Sequence, residues 1–253
     1  MKVRVLGCSG GIGGDRHTTS LLVDDDILVD AGTGVTRLAL EDLAKIDHVF
    51  ITHSHLDHHL GLPLLLDSVG AWRDRPVIVH ALPEVIEILK DHIFNWRIWP
   101  DFTRVPHGRP FMRWSPVHLG ETVTLGTRHI SPLPADHVVP ACGYLLDSGT
   151  GSLAFSGDTG PCEAFWDAVN AVENLRHLVV ECAFPQDEHD IAEDSKHHVP
   201  ATLVDALSRF KGRAEVHITH PKPGREAAIL EEARARAGTR ELRLLEEGRV
   251  FDL

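Results

Sequence analysis

Cysteine is scarce in this sequence, and the few cysteines are far apart. Four of the 253 residues are Cys, at positions 8, 142, 162 and 182, and no two of them form a CxxC pair. No apolar run of the kind found in secretory signals or membrane spans precedes the first predicted strand, Val3–Leu6. These absences favour reduced thiols, so we expect a cytoplasmic protein without a membrane partner.

Positive charge is also in short supply. The sequence has 25 Lys and Arg residues against 37 Asp and Glu residues, which gives a formal net charge of -12 at pH 7. A protein that binds nucleic acid through its phosphate backbone needs a basic surface, so we do not expect nucleic acid as a partner. A compact anionic substrate is still compatible with this charge, because metal ions and a few cations can hold it.

A nucleotide-binding loop is missing as well. The glycine-rich stretch Gly7–Gly14 follows the first predicted strand, but it has neither GxGxxG nor the Lys-Ser/Thr pair of a phosphate loop. We interpret it as a loop whose backbone must approach the site closely.

The rest of the sequence predicts one large domain with internal repetition. With 43% hydrophobic residues and few linker signals, residues 1–253 are assigned to a single domain. Two predicted hairpins, within 21–30 and 144–158, both end in Asp and both lead into a helix and then a strand. In the first half these helices are predicted near 35–44 and from Pro63 to Val69. The duplication predicts an α/β fold, a four-layer αββα sandwich of two similar halves whose loops meet at one edge.

One histidine-rich motif stands at the end of a predicted strand, Ile46–Phe50, where open α/β sheets carry their sites. Its residues are His53-Ser54-His55-Leu56-Asp57-His58. The first two histidines are two residues apart, which places both imidazoles on one side of an extended segment. Asp57 and His58 can turn to a second point, and this donor set suits zinc or a neighbouring first-row metal. The alternative is a solvated polar turn, because 18 residues of the chain are His.

Two metal ions need more ligands than this motif offers. Three later residues, His137, Asp158 and His220, also stand at predicted strand ends. A carboxylate can bridge two cations and an imidazole cannot, so Asp158 is assigned to both metals. The first predicted site comprises His53, His55, His137 and Asp158, and the second comprises Asp57, His58, Asp158 and His220. Taken singly, His137 or His220 could equally be a structural histidine.

Residues 93–116 break the regular pattern of strands and helices. They hold six aromatic residues and four prolines without clear periodicity, the aromatics being Phe94, Trp96, Trp99, Phe102, Phe111 and Trp114. A long irregular segment in a compact domain is usually functional or disordered, and the aromatics disfavour disorder. We predict an inserted lid or an oligomer contact, the latter in a homodimer.

The histidine motif resembles the metallo-β-lactamase superfamily, whose fold is the αββα sandwich. Three further stretches are similar to the class II cyclic-nucleotide phosphodiesterases: Phe94–Phe102, Gly157–Pro161 and Ile218–Pro223. Ser68 also fits that group, whereas His59 stands where it prefers an aliphatic residue. The similarity covers nearly the whole chain and implies the same metal ligands residue by residue.

The resemblance implies a di-metal hydrolase of phosphodiesters, above all of 3′,5′-cyclic nucleotides such as cAMP and cGMP. It implies attack by a hydroxide held between two cations, which yields the 5′-nucleotide. Two Zn2+ are the expected cofactors, with Mn2+ or Fe2+ as alternatives. The small cyclic nucleotide is the expected partner.

Two candidate catalytic residues follow from the same resemblance, Asp57 and His197. Relatives place a histidine in a loop facing the metals, three residues before a Pro or small residue at a helix start. His197 fits that spacing before Pro200 and would protonate the leaving alkoxide, with His198 as the alternative and as a candidate substrate contact. The other candidate substrate contacts are rings that would stack on the base, Phe94, Trp99 and Phe102.

Three alternative functions use the same residues. A ribonuclease Z-like tRNA 3′-processing nuclease shares the metal set, but it needs a basic surface or arm that this composition does not supply. Thioester or lactam hydrolysis is the second alternative. A metal-binding scaffold without activity is the third, and the retention of His197 with every ligand position disfavours it.

Overall fold

The computed structural model describes residues 1–253 and contains two seven-stranded sheets. The strands are β1 (Lys2–Gly7), β2 (Ser20–Val23), β3 (Ile27–Val29), β4 (His48–Phe50), β5 (Val77–Ala81), β6 (Met112–Pro116), β7 (Val123–Leu125), β8 (Arg128–Pro134), β9 (Cys142–Asp147), β10 (Ser152–Phe155), β11 (Leu175–Glu181), β12 (Glu215–Thr219), β13 (Leu242–Leu244) and β14 (Val250–Asp252). The first sheet has the order β14-β1-β2-β3-β4-β5-β6 and the second β13-β12-β11-β10-β9-β8-β7.

Eight α-helices lie between the strands along the chain. They are α1 (Leu40–Leu43), α2 (Leu56–His59), α3 (Gly61–Val69), α4 (Pro83–His92), α5 (Glu163–Asn170), α6 (His189–Asp194), α7 (Pro200–Leu207) and α8 (Glu226–Arg236). Short 3-10 helices span Thr33–Arg37, Gly70–Trp72 and Gln186–Glu188. None of these helices has both the length and the apolar character needed to cross a bilayer.

The two sheets repeat one pattern of strand pairing. In the first, the antiparallel hairpin β2–β3 continues into parallel pairs β3–β4, β4–β5 and β5–β6. In the second, the hairpin β9–β10 continues into parallel pairs β10–β11, β11–β12 and β12–β13. All residues of β2, β3 and β10 are buried, as expected for strands covered on both faces. The carboxyl ends of the parallel strands of each half therefore lie at one edge of its sheet.

Three hydrophobic layers separate the sheets and helices. A central layer joins the two sheets through side chains such as Val5, Phe50, Tyr144 and Val179. One outer layer packs α3 and α4 against the first sheet, and the other packs α5, α7 and α8 against the second. The predicted αββα sandwich is thus confirmed, because helices cover the outer face of each sheet and the inner faces pack together.

One helix prediction in the first half needs correction, and the other, with Pro63 in the first turn of a helix to Val69, is confirmed. The helix predicted near 35–44 is interrupted, because Leu38 and Ala39 are extended between the 3-10 helix and the single turn of α1. Helix α3 begins at Gly61, two positions before Pro63, and α2 is a separate turn that carries Asp57 and His58. The metal motif therefore leaves β4 extended and enters helix at Leu56.

The aromatic segment is less irregular than its sequence suggests. Its last five residues form β6, which pairs in parallel with β5 at the edge of the first sheet. Phe94 and Phe102 are each only 3% exposed and belong to the outer hydrophobic layer, where Phe94 meets Trp114 edge-on. Trp96 and Ile98 are exposed. A lid or homodimer role for this segment stays a prediction.

Candidate active site and metal centre

The predicted metal ligands lie at the carboxyl ends of strands from both sheets. His53, His55, Asp57 and His58 follow β4, whereas His137, Asp158 and His220 follow β8, β10 and β12. Two contacts join the sheets here, since the Cys142 amide donates to the Thr52 carbonyl and the Tyr144 hydroxyl to the Ile51 carbonyl. The fold thereby brings residues from distant parts of the sequence to one edge.

The seven side chains form two groups of donor atoms. The first group is His53, His55, His137 and Asp158, the second is Asp57, His58, Asp158 and His220, and the donor atoms of each lie within 4.8 Å of one another. Both groups have the membership predicted from the sequence.

Asp158 is shared, with Oδ1 3.3 Å from His58 Nε2 and Oδ2 3.2 Å from His220 Nε2. The same Oδ2 is 3.7 Å from His53 Nε2. A single carboxylate therefore reaches both groups.

Four of the imidazoles are held by their Nδ1 atoms. His58 Nδ1 is 2.7 Å from Asp30 Oδ2, and His53 Nδ1 is 3.0 Å from Thr52 Oγ1. His137 Nδ1 is 3.2 Å from the Lys196 carbonyl oxygen, and His220 Nδ1 is 3.4 Å from Thr19 Oγ1. An Nδ1–H engaged in this way leaves the Nε2 lone pair free for a metal, as in most histidine-bound metal sites.

Asp30 and Thr52 are functional residues that sequence reasoning missed. Asp30 is fully buried, has a positive φ of 57°, and accepts from the amide and hydroxyl of Thr52 as well as from His58. The only local signal was a carboxylate directly after the apolar strand β3. Backbone strain at a buried polar residue is typical of sites whose geometry must be exact.

Three imidazoles are held neutral, as ligands of a divalent cation must be, whereas at His58 the carboxylates of Asp158 and Asp30 outweigh burial and raise the pKa, so that ring must lose a proton when a metal binds. Burial lowers the pKa of His53, lowers that of His137 to about 4 and lowers that of His220 to about 3. These rings are therefore neutral near pH 7, with lone pairs available. The Nε2 atoms of His53 and His58 are buried without any hydrogen-bond partner, which is costly unless a metal binds them. Borderline divalent metals such as zinc match this mixture of imidazole and carboxylate.

His197 faces the donor groups and His198 does not. The His197 ring stacks on His220, with 5.6 Å between centroids, and meets His137 edge-on at 5.0 Å. His198 is turned into the protein, where its Nδ1 contacts Thr202 Oγ1 at 3.1 Å and burial lowers its pKa to about 3. The position of His198 therefore does not support its predicted role as a substrate contact.

Behind His197 lies Glu181, a third residue without a predicted role. Glu181 is fully buried at the end of β11, and it accepts from the amides of Thr159 and His198. Burial alone would lower the pKa of His197, but the Glu181 carboxylate outweighs burial and raises it. A histidine with a raised pKa keeps its proton to higher pH and is suited to proton donation.

The glycine-rich loop approaches the site as predicted. A methyl group on Gly10 would lie 2.5 Å from the His220 carbonyl oxygen, so only glycine fits there. The Gly10 amide donates to the Pro221 carbonyl, and the His220 amide donates to the Cys8 carbonyl. These contacts hold His220 in a left-handed conformation with φ of 63°.

The remaining candidates divide between the rim and the hydrophobic core. The Asp57 side chain is 29% exposed, the most open carboxylate of the two groups, and its Oδ2 is 3.6 Å from His220 Nε2. Phe94 and Phe102 are buried in the outer layer and offer no face to a substrate, so the prediction that they stack on a base is corrected. Trp99 is partly buried against the same layer.

A cavity of about 370 Å³ adjoins His197. Its lining includes Asp136, Lys196, His197 and Thr202, and the Lys196 ammonium pairs with Asp136 at 2.6 Å. The only side chain it shares with the site is His197. A small ligand in this cavity would touch His197.

Comparison with known proteins agrees with this geometry. A sequence profile described as Beta-lactamase superfamily domain matches residues 25–237, which is most of the chain. A "Probable 3′,5′-cyclic-nucleotide phosphodiesterase" of Yersinia pestis is 27% identical over 88% of this chain and 78% of that protein. A "Ribonuclease Z" of Pyrobaculum islandicum is also 27% identical, over 89% of each chain.

Among solved structures, yeast PDE1 superposes with a TM-score of 0.84 at 20% identity, covering 100% of this chain and 99% of that one. At this identity the similarity establishes the shared fold. The match over most of the sequence, the two-sheet architecture and the paired donor groups lead to one conclusion. The chain belongs to the beta-lactamase superfamily and is a hydrolase with the divalent-metal donor set of that fold.

Proposed function

We propose that the chain is a di-metal phosphodiesterase that opens 3′,5′-cyclic nucleotides to 5′-monophosphates, with two Zn2+ as its cofactors and Mn2+ or Fe2+ as alternatives. The observation that carries the proposal is the placement of His197 beside two donor groups that share Asp158. Two cations on one carboxylate favour phosphoryl transfer, in which an attacking and a leaving oxygen must both be stabilised.

The metal ions supply the activation of water and the neutralisation of charge on the phosphoryl oxygens. The protein residues do the rest. Asp57, on the open side of the second group, accepts a hydrogen bond from the attacking water and orients it. His53, His58 and His220 are locked through their Nδ1 atoms, so the centre needs no rearrangement during the reaction.

The proton balance assigns one step to His197. Water oxygen forms a bond to phosphorus, and the bond from phosphorus to the ribose 3′ oxygen breaks. His197 donates its proton to that oxygen, and Glu181 stabilises the imidazolium beforehand and orients the ring through Nδ1. The proton lost by water leaves through solvent at the exposed rim.

A small cyclic nucleotide fits the charge of the chain. The formal charge of -12 disfavours a long polyanion, whereas a single phosphodiester can be neutralised by the two cations. The phosphodiesterase relative from Yersinia pestis supports the same substrate class over 88% of this chain. A homodimer and a cytoplasmic location stay part of the proposal.

A ribonuclease Z-like nuclease is the second candidate. The relative from Pyrobaculum islandicum favours it, because its identity and coverage equal or exceed those of the phosphodiesterase. The two candidates share every metal ligand, so substrate size and charge must distinguish them.

The deciding experiment is a substrate panel assayed with zinc-loaded protein. It comprises cAMP, cGMP, a tRNA precursor, a thioester, a lactam and bis-p-nitrophenyl phosphate. We expect turnover of the cyclic nucleotides to the 5′-monophosphate and of the generic diester. Cleavage of the precursor alone would replace the proposal by the nuclease, and turnover of none would indicate a metal-binding scaffold.

A further inference from the structure

A third group of potential metal ligands lies at the opposite end of the second sheet. It comprises His177 of β11 and Glu215 and His217 of β12, whose donor atoms lie within 4.8 Å of one another. His177 pairs with Glu215 across the parallel ladder, so all three side chains share one face. His217 is three residues before His220, which places it about 10 Å along the strand from the catalytic donors.

The distances from Glu215 to the two histidines match tetrahedral coordination. Glu215 Oε2 is 3.5 Å from His177 Nδ1 and 3.6 Å from His217 Nε2. These distances are too long for good hydrogen bonds. Two ligands bound to zinc at about 2.1 Å with tetrahedral angles lie about 3.4 Å apart. The distances from Asp158 to His58 and His220 in the catalytic centre, 3.3 and 3.2 Å, are of the same kind.

His217 is the independent sign that a ligand belongs here. It is 0% exposed, and neither of its ring nitrogens has a hydrogen-bond partner. His177 Nδ1 is likewise buried and unpartnered. The Phe251 ring packs against both imidazoles, with centroid distances of 4.7 and 5.1 Å, and it holds their orientation. A buried imidazole without partners is costly, and a metal ion bound to Nε2 removes much of that cost.

The surroundings define which cation fits. Two guanidinium groups approach the same carboxylate oxygen, Arg249 at 3.5 Å and Arg243 at 3.8 Å. They disfavour a hard cation such as Ca2+ or Mg2+, which would depend on Glu215 alone and has little affinity for imidazole. A borderline transition metal gains most of its affinity from the two imidazoles.

We propose that His177, Glu215 and His217 bind one zinc-class transition-metal ion in a site separate from the catalytic centre. The three ligands leave a fourth position for water. Of the three residues, Glu215 alone also lines a surface cavity of about 480 Å³, so one ligand of the group is reached from solvent. The ion ties β11 to β12 where both strands begin, so it should stabilise the sheet without entering the reaction.

The test counts bound metal in the whole protein. Metal-free protein is titrated with Zn2+ by calorimetry, and bound zinc is then measured by elemental analysis after gel filtration. We expect the wild type to retain one ion more than Glu215→Gln and His177→Gln, and its thermal midpoint to rise further with zinc. Glu241→Gln, which lines the same cavity but offers no ligand to the group, is the matched control and should behave as wild type.

Two further readouts separate this site from the catalytic one. Hydrolysis of bis-p-nitrophenyl phosphate should be unchanged in Glu215→Gln and His177→Gln, because neither residue contacts the catalytic donors. Anomalous diffraction at the zinc edge from crystals of zinc-loaded protein should give a peak between His177 and His217. Equal zinc content in wild type and both variants, or no anomalous peak between these histidines, would overturn the proposal.

Discussion

Glu181 Oε1 accepts a hydrogen bond from His197 Nδ1 at 2.6 Å, and both residues are buried beside the two donor groups. A carboxylate in this position favours the protonated imidazole by raising its pKa, and it points Nε2 away from Glu181. If His197 is the proposed proton donor, its acidity is therefore set chiefly by Glu181, with a smaller effect of Asp158 in the same direction.

Replacement of His197 should affect substrates according to their leaving group. A ribose 3′ alkoxide is strongly basic and needs a proton to leave, whereas p-nitrophenolate leaves without one. We expect His197→Ala to slow cyclic-nucleotide hydrolysis at least about 100-fold, the usual range for a general acid, and bis-p-nitrophenyl phosphate much less. His198→Ala is the matched control and should not show this selectivity. An equal loss on both substrates would instead assign His197 to charge stabilisation.

Removal of the Glu181 charge should shift the pH dependence of turnover. The carboxylate raises the pKa of His197, so Glu181→Gln should lower that pKa while nearly preserving side-chain volume. The acid form exists only below the pKa, so the basic limb of the kcat profile should move to lower pH. The measurement is kcat for a cyclic nucleotide against pH. An unmoved basic limb with reduced kcat would leave Glu181 only a structural role.

Asp30 should control metal affinity without binding metal itself. It accepts from His58 Nδ1 at 2.7 Å and so holds Nε2 within the second donor group, 3.3 Å from Asp158 Oδ1. We expect Asp30→Asn to weaken zinc binding about 10–100-fold, the usual effect of losing a partner of a metal-bound histidine. Competition with a chelator of known affinity measures this change. Asp26→Asn, at the start of the same hairpin strand, should leave zinc affinity as in wild type.

Acid should destabilise the protein partly through His80, which lies far from the metal ligands in sequence. Burial lowers the pKa of His80 to about 3, whereas an unfolded histidine titrates near 6.5. The unfolded state therefore binds more protons than the folded state between these values. The contribution of neutral His80 to the free energy of unfolding is complete above about pH 6.5. It is lost progressively as the pH falls towards about 3.

His80→Phe should reduce this acid sensitivity. The His80 ring stacks on Phe50 with a centroid distance of 4.2 Å and an angle of 10°, a contact that phenylalanine can retain. The free energy of unfolding in urea, measured at pH 7 and pH 5, should fall less in His80→Phe than in wild type. The exposed His107→Phe serves as the control and should keep the wild-type drop. The same drop in all three proteins would contradict the prediction.

The aromatic segment should contribute to stability through its buried rings. Phe94→Ala removes a core ring and should destabilise the protein by about 3–5 kcal/mol. Trp96→Ala, two residues away and 57% exposed in wild type, should change the free energy of unfolding by no more than about 0.5 kcal/mol. Denaturant unfolding of both variants measures the difference. If the segment contacts substrate, a raised KM in Trp96→Ala is the expected sign.

The family and the membership of the two donor groups could be predicted from sequence because their signals are local. His53 and His55 are fixed on one side of an extended segment by a spacing of two. Asp158 and His220 each follow an apolar strand directly, and parallel strands end at a common edge. Repeated hairpins predicted the two halves of the sandwich for the same reason, since alternation of strand, turn and helix is written along the chain.

Burial of the aromatic segment could not be predicted in this way. Phe94 and Phe102 show no periodicity, because they pack from an irregular chain against residues of α3, α4 and β6. Their partners lie in other elements, and only the assembled outer layer decides that these rings are enclosed while Trp96 is exposed.

The sequence by itself determined the donor set, whereas the tertiary structure decided which groups hold and orient it. Asp30 reaches His58 across 28 residues and Glu181 reaches His197 across 16, so neither partnership has a local signature. The choice between His197 and His198 depends on the left-handed turn at Lys196, φ of 52°, which directs the first ring to the centre. Backbone direction and long-range hydrogen bonds exist only after folding. These two properties distinguish His197, which faces the donor groups, from His198, which is turned into the protein.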